Sequence, residues 1–405
     1  MSRICTFPGD FPYFPAMNSG RYTVSQVIEL VERTTLSRLA ARYGAEERVR
    51  HFKCRQQFIC MVFAQMPSRE SLRDITTCLN ARAETLYHLG FTEPVAKLTL
   101  ADANDQRDWR IWEDLAKSLM RKARPLHAGE DLGLDLENTI YALDSTTIDL
   151  SLTLFPWADF RQAKAGIKVH TQIDLRGPIP TCINITGARQ HVVGWLDSLL
   201  FEAGAFYLMD RGYMDFTRLI LIANAGAFFV TRAKCNLQFT RHYSKQVDRF
   251  TGLQSAHVGK PTLTKSRKAF PVLLRKVRFI DSETAKELVF LTNNLEIPAL
   301  AVAMLYKMRW RIELFFRWIK GHLRIKHYYG TGPNAVKTQI WIAIATYLII
   351  AILHKQLRLP GTLHRTLQLL SVHPFVKVTL NELLMETDHR TFINSDPNQS
   401  NLFEL

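Results

Sequence analysis

Three carboxylates stand out by their positions in the sequence. Asp144 lies within an apolar, β-branched stretch, TIYALDSTTIDLSL, where a carboxylate costs free energy unless it is paired or binds a metal. Asp210 follows a short apolar stretch, at the end of an expected strand, which is where open α/β sheets place ligand-binding residues. Glu313 is the single acid among seven Lys and Arg residues between positions 307 and 326. Together the three could form a small carboxylate cluster.

The sequence around Glu313 predicts one helix over residues 298–326. Advancing about 100° per residue places Tyr306, Arg309, Glu313 and Lys320 within an arc of roughly 60°. One edge of the helix would then carry a phenol, a guanidinium, a carboxylate and an ammonium. The alternative is that Glu313 only forms ion pairs with Arg309 or Arg317, four residues away on either side. The sequence alone leaves that alternative open.

Such a set of side chains suits phosphodiester chemistry. Hydrolysis or transfer needs an activated nucleophilic oxygen and a stabilised leaving oxygen, and two divalent ions about 3.5–4 Å apart supply both. Carboxylates are the usual protein ligands of Mg²⁺ in such sites. Arg309 suits bidentate phosphate contact and Lys320 acts as a point charge. Tyr306 could hydrogen-bond a phosphate or stack on a base.

The composition indicates a polyanionic partner. The 405 residues include 52 Lys and Arg against 37 Asp and Glu, a formal net charge of +15, which favours nucleic acid or an anionic membrane surface. The apolar run at residues 340–353 is shorter than the ~17–25 residues of a bilayer span, so we expect a buried core helix. No amphipathic anchor or lipidation motif favours a membrane. The charge therefore indicates nucleic acid.

The remaining residues with reactive or aromatic side chains give no sign of a second chemistry. The six cysteines lack CxxC or zinc-finger spacing, which indicates a reduced, cytosolic protein. The thirteen histidines show no paired metal-ligand spacing, and we expect His170, His191, His322 and His327 at the surface or near DNA. We expect Trp310 and Trp318 to pack the helix that carries Glu313.

Hydrophobic patterning divides the chain into a helical first part and a mixed second part. Helical periodicity dominates up to residue 126. Beyond it, strands are expected over 139–152, 167–175, 179–185, 205–209 and 227–231, with helices over 192–200 and 214–224. This order suits a mixed α/β sheet covered by helices.

We predict five units along the chain. They are a helical N-terminal DNA-binding domain (1–126), a first core part (137–232), a β-rich basic insertion (233–296), a second core part with the helix of Glu313 (297–355), and a helical C-terminal tail (356–405). The insertion carries 12 Lys and Arg against 5 acids. Because such a surplus attracts phosphates, we expect the insertion to face DNA.

These residues resemble a known family. Tyr306-x2-Arg309-x3-Glu313-x6-Lys320 matches the YREK signature of bacterial insertion-sequence transposases, the insertion-sequence-four group of DDE enzymes, in all four residue types and all three spacings. LDSTT around Asp144 and MDRGY around Asp210 resemble the two Asp motifs of that family. The resemblance extends to SLRDI (71–75) and to residues 100–115, so it spans nearly the whole chain.

The resemblance implies an RNase H-like catalytic core. Asp144, Asp210 and Glu313 would be its catalytic, metal-binding triad, holding two Mg²⁺ ions that Mn²⁺ could replace. Tyr306, Arg309 and Lys320 would bind the DNA at the terminal phosphates of the transposon. The implied activity is cut-and-paste transposition, with cleavage at the transposon ends and strand transfer into target DNA.

The resemblance also implies the partners. They are double-stranded DNA with terminal inverted repeats, target DNA, and a second copy of the chain in a homodimer on paired ends. The expected location is the bacterial cytoplasm, at the nucleoid.

Two other functions stay open on the sequence. One is a catalytically inactive or domesticated sequence-specific DNA-binding protein, which would bind DNA without nicking it. The other is a different RNase H-like nuclease that acts on DNA junctions or RNA–DNA hybrids. The YREK spacing and the basic insertion argue against the second.

Overall fold

The computed structural model describes residues 20–66, 69–161, 164–323, 325 and 327–385. The outer ends of the predicted N-terminal and C-terminal units, 1–19 and 386–405, lie outside these ranges. The described residues form a helical N-terminal region, a ten-stranded mixed sheet and further helices. The predicted mixed α/β class is therefore confirmed.

Helices build the N-terminal region. They are α1 (Thr23–Glu29), α2 (Arg33–Arg42), α3 (Cys54–Gln65), α4 (Leu72–Asn80), α5 (Ala83–His88), α6 (Lys97–Gln106) and α7 (Arg110–His127). In α7 the apolar residues recur every three or four positions, so one face buries Ile111, Leu115 and Leu119. The buried residues of these helices belong to the same hydrophobic cluster as the later helices and part of the sheet. The region is thus packed directly onto the rest of the protein.

One sheet contains all the described strands. They are β1 (Ile140–Leu150), β2 (Asp159–Arg161), β3 (Lys164–Asp174), β4 (Ile179–Gly187), β5 (Phe206–Met209), β6 (Phe228–Arg232), β7 (Phe239–Lys245), β8 (Leu253–Pro261), β9 (Leu274–Ile280) and β10 (Glu287–Thr292). The order is β2-β3-β1-β5-β6-β10-β9-β8-β7, with β4 also paired to β3. β5 runs parallel to β1 and to β6, and the remaining pairs are antiparallel.

The segment between β4 and β5 differs from the expected helix over 192–200. It forms a short 3₁₀ helix, Val192–Ser198. Two adjacent β-branched residues and Gly194 have low α-helical propensity, which outweighs the apolar pattern of this stretch. The helix expected over 214–224 is present as α8 (Phe216–Asn224).

The basic segment 233–296 is rich in strands, and it extends the main sheet. Its last strand, β10, pairs with β6, so that Leu291 lies opposite Thr231. Strands β9, β8 and β7 follow outward in that order, with the short helix α9 (Thr264–Ala269) before β9. The basic strands therefore belong to the same hydrogen-bonded sheet as β1, β5 and β6.

The helix expected over 298–326 is two helices, α10 (Ala299–Met308) and α11 (Trp310–His322). The backbone of Arg309 stays right-handed, with φ −51° and ψ −29°. The turn is tightened there, because the Arg309 amide donates to Tyr306 and the Ile312 amide donates to Arg309, both three residues back. The side chain of Arg309 is held by Asp144 on β1. The tightened turn therefore coincides with a contact to another element, which helical periodicity in the sequence does not include.

Two further helices follow, α12 (Pro333–Gln356) and α13 (Leu363–Val372), and residues 380–385 are also helical. α12 is the one described helix long and apolar enough to cross a membrane, and 94% of its most apolar window is buried inside the protein. All of residues 340–353 are buried, as predicted for a core helix. α12 packs against α7, α6 and α3, so it joins the N-terminal helices to the sheet.

Candidate active site

Asp144 and Asp210 lie side by side because β1 and β5 are parallel neighbours in register. Leu143 pairs with Met209, and each aspartate is the next residue of its chain. Adjacent strands lie about 4.8 Å apart. β5 ends at Met209 while β1 continues along β3, so Asp144 stands where β1 loses its parallel neighbour. The two carboxylates therefore share the opening at the carboxyl end of β5.

The Asp144 side chain is 21% exposed and fully partnered. Its Oδ1 accepts from the Ser145 amide at 2.7 Å, and its Oδ2 lies 2.9 Å from a guanidinium nitrogen of Arg309. Burial is the main cause that raises the pKa of Asp144 above its ordinary value. The carboxylates of Asp210 and Glu313 raise that pKa further. Asp210 and Glu313 therefore lie close enough to Asp144 to affect its charge.

Asp210 is held by the turn that follows β5. Its Oδ1 accepts from the Arg211 amide at 2.6 Å, which caps the short 3₁₀ helix at residues 211–213. Its backbone carbonyl accepts from the Thr231 hydroxyl at 3.2 Å. Contacts at both ends fix the carboxylate at the end of the strand, as its position after an apolar stretch predicts.

Arg309 joins two of the carboxylates. It binds Asp144 at 2.9 Å and Glu313 at 2.5 Å, and its own side chain is only 13% exposed. The ion pair between Arg309 and Glu313 is the alternative that the sequence left open, and it is present. Because the same guanidinium also reaches Asp144 on β1, the pair belongs to the carboxylate site rather than to an isolated helix surface.

The other two signature side chains lie on either side of this cluster. The Tyr306 ring packs against Phe290, with 4.8 Å between ring centroids, and the Arg309 guanidinium lies 5.6 Å from its centroid. Burial raises the pKa of Tyr306. The Lys320 ammonium donates to the Thr147 carbonyl at 2.8 Å. Since Thr147 is three residues beyond Asp144, Lys320 lies roughly 10 Å further along β1.

Tyr213 is a member of the site that the sequence reasoning did not single out. It is 1% exposed, and burial, followed by the nearby Asp144 carboxylate, raises the pKa of its phenol. The Asp210 carboxylate raises this pKa further. The MDRGY motif contains Tyr213 three residues after Asp210, and that spacing was the available signal.

Two expectations about aromatic residues outside the signature were wrong. His170 is fully buried in β3 beside Trp195, with 5.5 Å between ring centroids, instead of lying at the surface. Its position opposite Ser145 on the central strand accounts for the burial. Trp318 packs against Tyr347 as expected, but Trp310 is 50% exposed.

The donor chemistry of the site fits a divalent cation. Three carboxylates provide the hard oxygen ligands that Mg²⁺ and Mn²⁺ prefer, and those of Asp210 and Glu313 disfavour a negative charge on Asp144. Within the described ranges, however, no three His, Cys, Asp or Glu side chains stand close enough to hold a metal together. The Arg309 guanidinium supplies positive charge between Asp144 and Glu313 instead.

Comparison with known proteins identifies a family that agrees with the resemblance seen in the sequence. Residues 135–349, more than half of the chain and all six candidate residues, match the family model described as a transposase DDE domain. Residues 19–92 match a domain of unknown function, DUF4372. These two domains together are typical of insertion-sequence-four transposases.

Curated relatives agree with the family match. A putative transposase of Sinorhizobium fredii is 34% identical over 62% of this chain and 70% of its own. A probable insertion-sequence transposase of Geobacillus stearothermophilus is 28% identical over 53% of this chain and 56% of its own. A putative insertion-sequence transposase of Synechocystis is 26% identical over 71% of this chain and 77% of its own. The chain therefore belongs to the transposase DDE domain family.

Proposed function

We propose that this protein is a cut-and-paste DNA transposase that cleaves transposon ends and joins them to target DNA with divalent metal ions. The observation that supports the proposal is the Arg309 guanidinium, which bridges Asp144 on β1 and Glu313 on α11 beside the end of β5, where Asp210 lies. A cluster of carboxylates beside cationic side chains suits metal-assisted phosphoryl transfer.

The proposed catalytic core is RNase H-like. Its support is the strand order β4-β3-β1-β5-β6, in which an antiparallel meander is followed by two parallel strands. Within this core we assign residues 137–232 and 297–355, with the basic strands of 233–296 inserted between them. Residues 1–126 would be the helical DNA-binding domain and 356–405 the helical tail.

In the proposed mechanism, Asp144, Asp210 and Glu313 would hold Mg²⁺, or Mn²⁺ in its place. When bound, the ions would activate the attacking oxygen and neutralise charge on the leaving oxygen. In hydrolysis a water oxygen forms a new bond to phosphorus as the bond to the 3′-oxygen breaks, and a proton leaves the water while the 3′-oxygen becomes a hydroxyl. That hydroxyl then attacks a target phosphodiester and displaces another 3′-oxygen.

The signature side chains would orient the phosphate. Tyr306, Arg309 and Lys320 offer a phenol, a guanidinium and an ammonium on the side of α10 and α11 that faces the sheet. Arg309 can turn to a phosphate only when Asp144 and Glu313 have another cation as partner. The arrangement would thus couple phosphate contact to an occupied carboxylate site.

The proposed partners are transposon ends with inverted repeats, target DNA and a second copy of the chain, in the bacterial cytoplasm at the nucleoid. The net charge of +15 supports a DNA partner. So does the edge strand β7, whose middle residues 240–244 are all exposed and include Arg241 and Tyr243.

Isosteric variants test the proposal with inverted-repeat DNA in Mg²⁺ or Mn²⁺. We expect Asp144→Asn, Asp210→Asn and Glu313→Gln each to abolish strand cleavage while DNA binding survives. Asp149→Asn, an exposed carboxylate on the same strand, is the control and should cleave normally. Binding by the parent protein without any nicking would instead favour the inactive DNA-binding protein. Normal cleavage by a triad variant would remove that residue from the mechanism.

A further inference from the structure

A groove between α2 and α7 collects cations that the carboxylate site does not use. It encloses about 210 Å³. Arg38 and Arg42 line it from α2, and Lys117 and Arg121 line it from α7. Each pair is spaced four residues apart, so each forms a row along one face of its helix. The two rows face each other across the groove.

The positive charge of the groove is only partly neutralised. Asp114 is the single acid in its lining, and it contacts Arg42 at 3.2 Å and the Tyr43 hydroxyl at 2.8 Å. Lys117 pairs with Glu113 at 2.9 Å. In the part of the chain that the structure describes, Arg38 and Arg121 are exposed and form no ion pair with a carboxylate. Two guanidiniums are therefore available for an anionic ligand.

The lining suits phosphate rather than a base or an apolar ligand. Thr35 and Ser118 add hydroxyl groups between the cations, and such groups commonly contact phosphate oxygens. Leu39 lines the groove but is buried, and no aromatic ring lines it to stack a base. Helix α2 carries three arginines and no acid in its ten residues, so its face of the groove carries an excess of positive charge.

We propose that the α2–α7 groove binds backbone phosphates of double-stranded DNA and anchors the helical region to it. This inference rests on the proposed function, because it takes DNA as the ligand. It gives a role to part of the matched domain of unknown function, which contains α2. The site is completed by α7, which lies beyond that domain, so the domain alone would hold only half of it.

The test measures binding of the full-length protein to a fluorescein-labelled 30-base-pair duplex by anisotropy across a salt series. In Arg38→Gln/Arg121→Gln, we expect the slope of log K against log salt to fall by about 2, one per lost phosphate contact. Affinity at low salt should fall about tenfold. Because neither arginine has an acidic partner, the variant leaves no unpaired carboxylate and should keep the parent's melting temperature.

Two further variants make the result specific. Arg82→Gln/Lys97→Gln removes the same charge from exposed positions outside the groove and should leave the slope within experimental error. Arg38→Lys/Arg121→Lys keeps the charge and should restore most of the slope. An unchanged slope in the Gln variant, an equal loss in the outside control, or groove-dependent binding of RNA but not DNA would overturn the proposal.

Cleavage at saturating DNA separates this proposal from the proposed function. The groove variant should bind weakly but cleave at the parental rate once saturated, whereas the triad variants should bind normally and not cleave. If the groove variant binds normally and the parent cleaves, the groove proposal fails and the transposase stands. If the parent never cleaves yet DNA binding depends on the groove, the transposase proposal fails and the groove proposal stands.

Discussion

Replacing Arg309 with glutamine should make the stability of the protein depend strongly on divalent metal. Arg309 is 13% exposed and neutralises Asp144 and Glu313, which are 21% and 32% exposed. Removing one partner of a buried ion pair costs about 3–5 kcal/mol, and of an exposed pair about 0.2–1 kcal/mol. The partial exposure of both carboxylates places the expected cost between these limits, at about 2 kcal/mol in EDTA.

The same variant should bind Mg²⁺ more tightly, because the cation no longer has to displace the guanidinium. If the whole loss is recovered on binding, the apparent Kd for Mg²⁺ falls by about 10- to 30-fold. Urea unfolding with EDTA and across a MgCl₂ series measures both quantities. The free energy of unfolding of Arg309→Gln should return towards the parental value as Mg²⁺ rises.

Arg218→Gln is the matched control. Arg218 also bridges two carboxylates, Asp197 and Asp215, each at 2.9 Å, but the acids are 51% and 31% exposed. Its loss should cost no more than about 1 kcal/mol and create no Mg²⁺ dependence. Equal stability of Arg309→Gln and parent in EDTA, or unchanged Mg²⁺ affinity, would refute the reasoning.

Two other predictions concern the sheet. Burial lowers the pKa of His170 to about 4, so its stabilising contribution is present above pH ~6.5, its unfolded pKa, and is lost as pH falls towards 4. Unfolding free energies measured from pH 7 to 4 should therefore decline less in His170→Asn, and parallel curves would contradict this. In Gly259→Ala the new Cβ would lie 2.0 Å from the Thr240 carbonyl oxygen, so β7 must separate from β8. Hydrogen exchange of the β7 amides should accelerate at least tenfold, whereas Gly187→Ala, with open space around it, should leave it unchanged.

The sequence revealed the catalytic candidates because each is marked by the residues next to it in the chain. A carboxylate in a β-branched stretch, one after a short apolar strand, and a lone acid among cations are all visible without knowing the fold. The adjacency of Asp144 and Asp210 depends on the parallel register of Leu143 with Met209. That pairing joins segments more than sixty residues apart, so no local pattern reports it.

Long-range contacts also explain the features that the sequence did not predict. The turn at Arg309 coincides with its contact to Asp144 on another element, and helical periodicity cannot include such a contact. His170 is buried because it lies opposite Ser145 in the centre of the sheet, although histidine is common at surfaces. The basic strands join the main sheet through β10 and β6, which charge and strand propensity do not specify.

Anomalous diffraction from crystals of the full-length protein grown with MnCl₂ and transposon-end DNA tests the central claim most directly. We expect manganese peaks within bonding distance of the carboxylate oxygens of Asp144, Asp210 and Glu313, with Arg309 turned away from Asp144 towards a DNA phosphate. A saturated crystal with no manganese between these three carboxylates, and with Arg309 still joining Asp144 to Glu313, would contradict it.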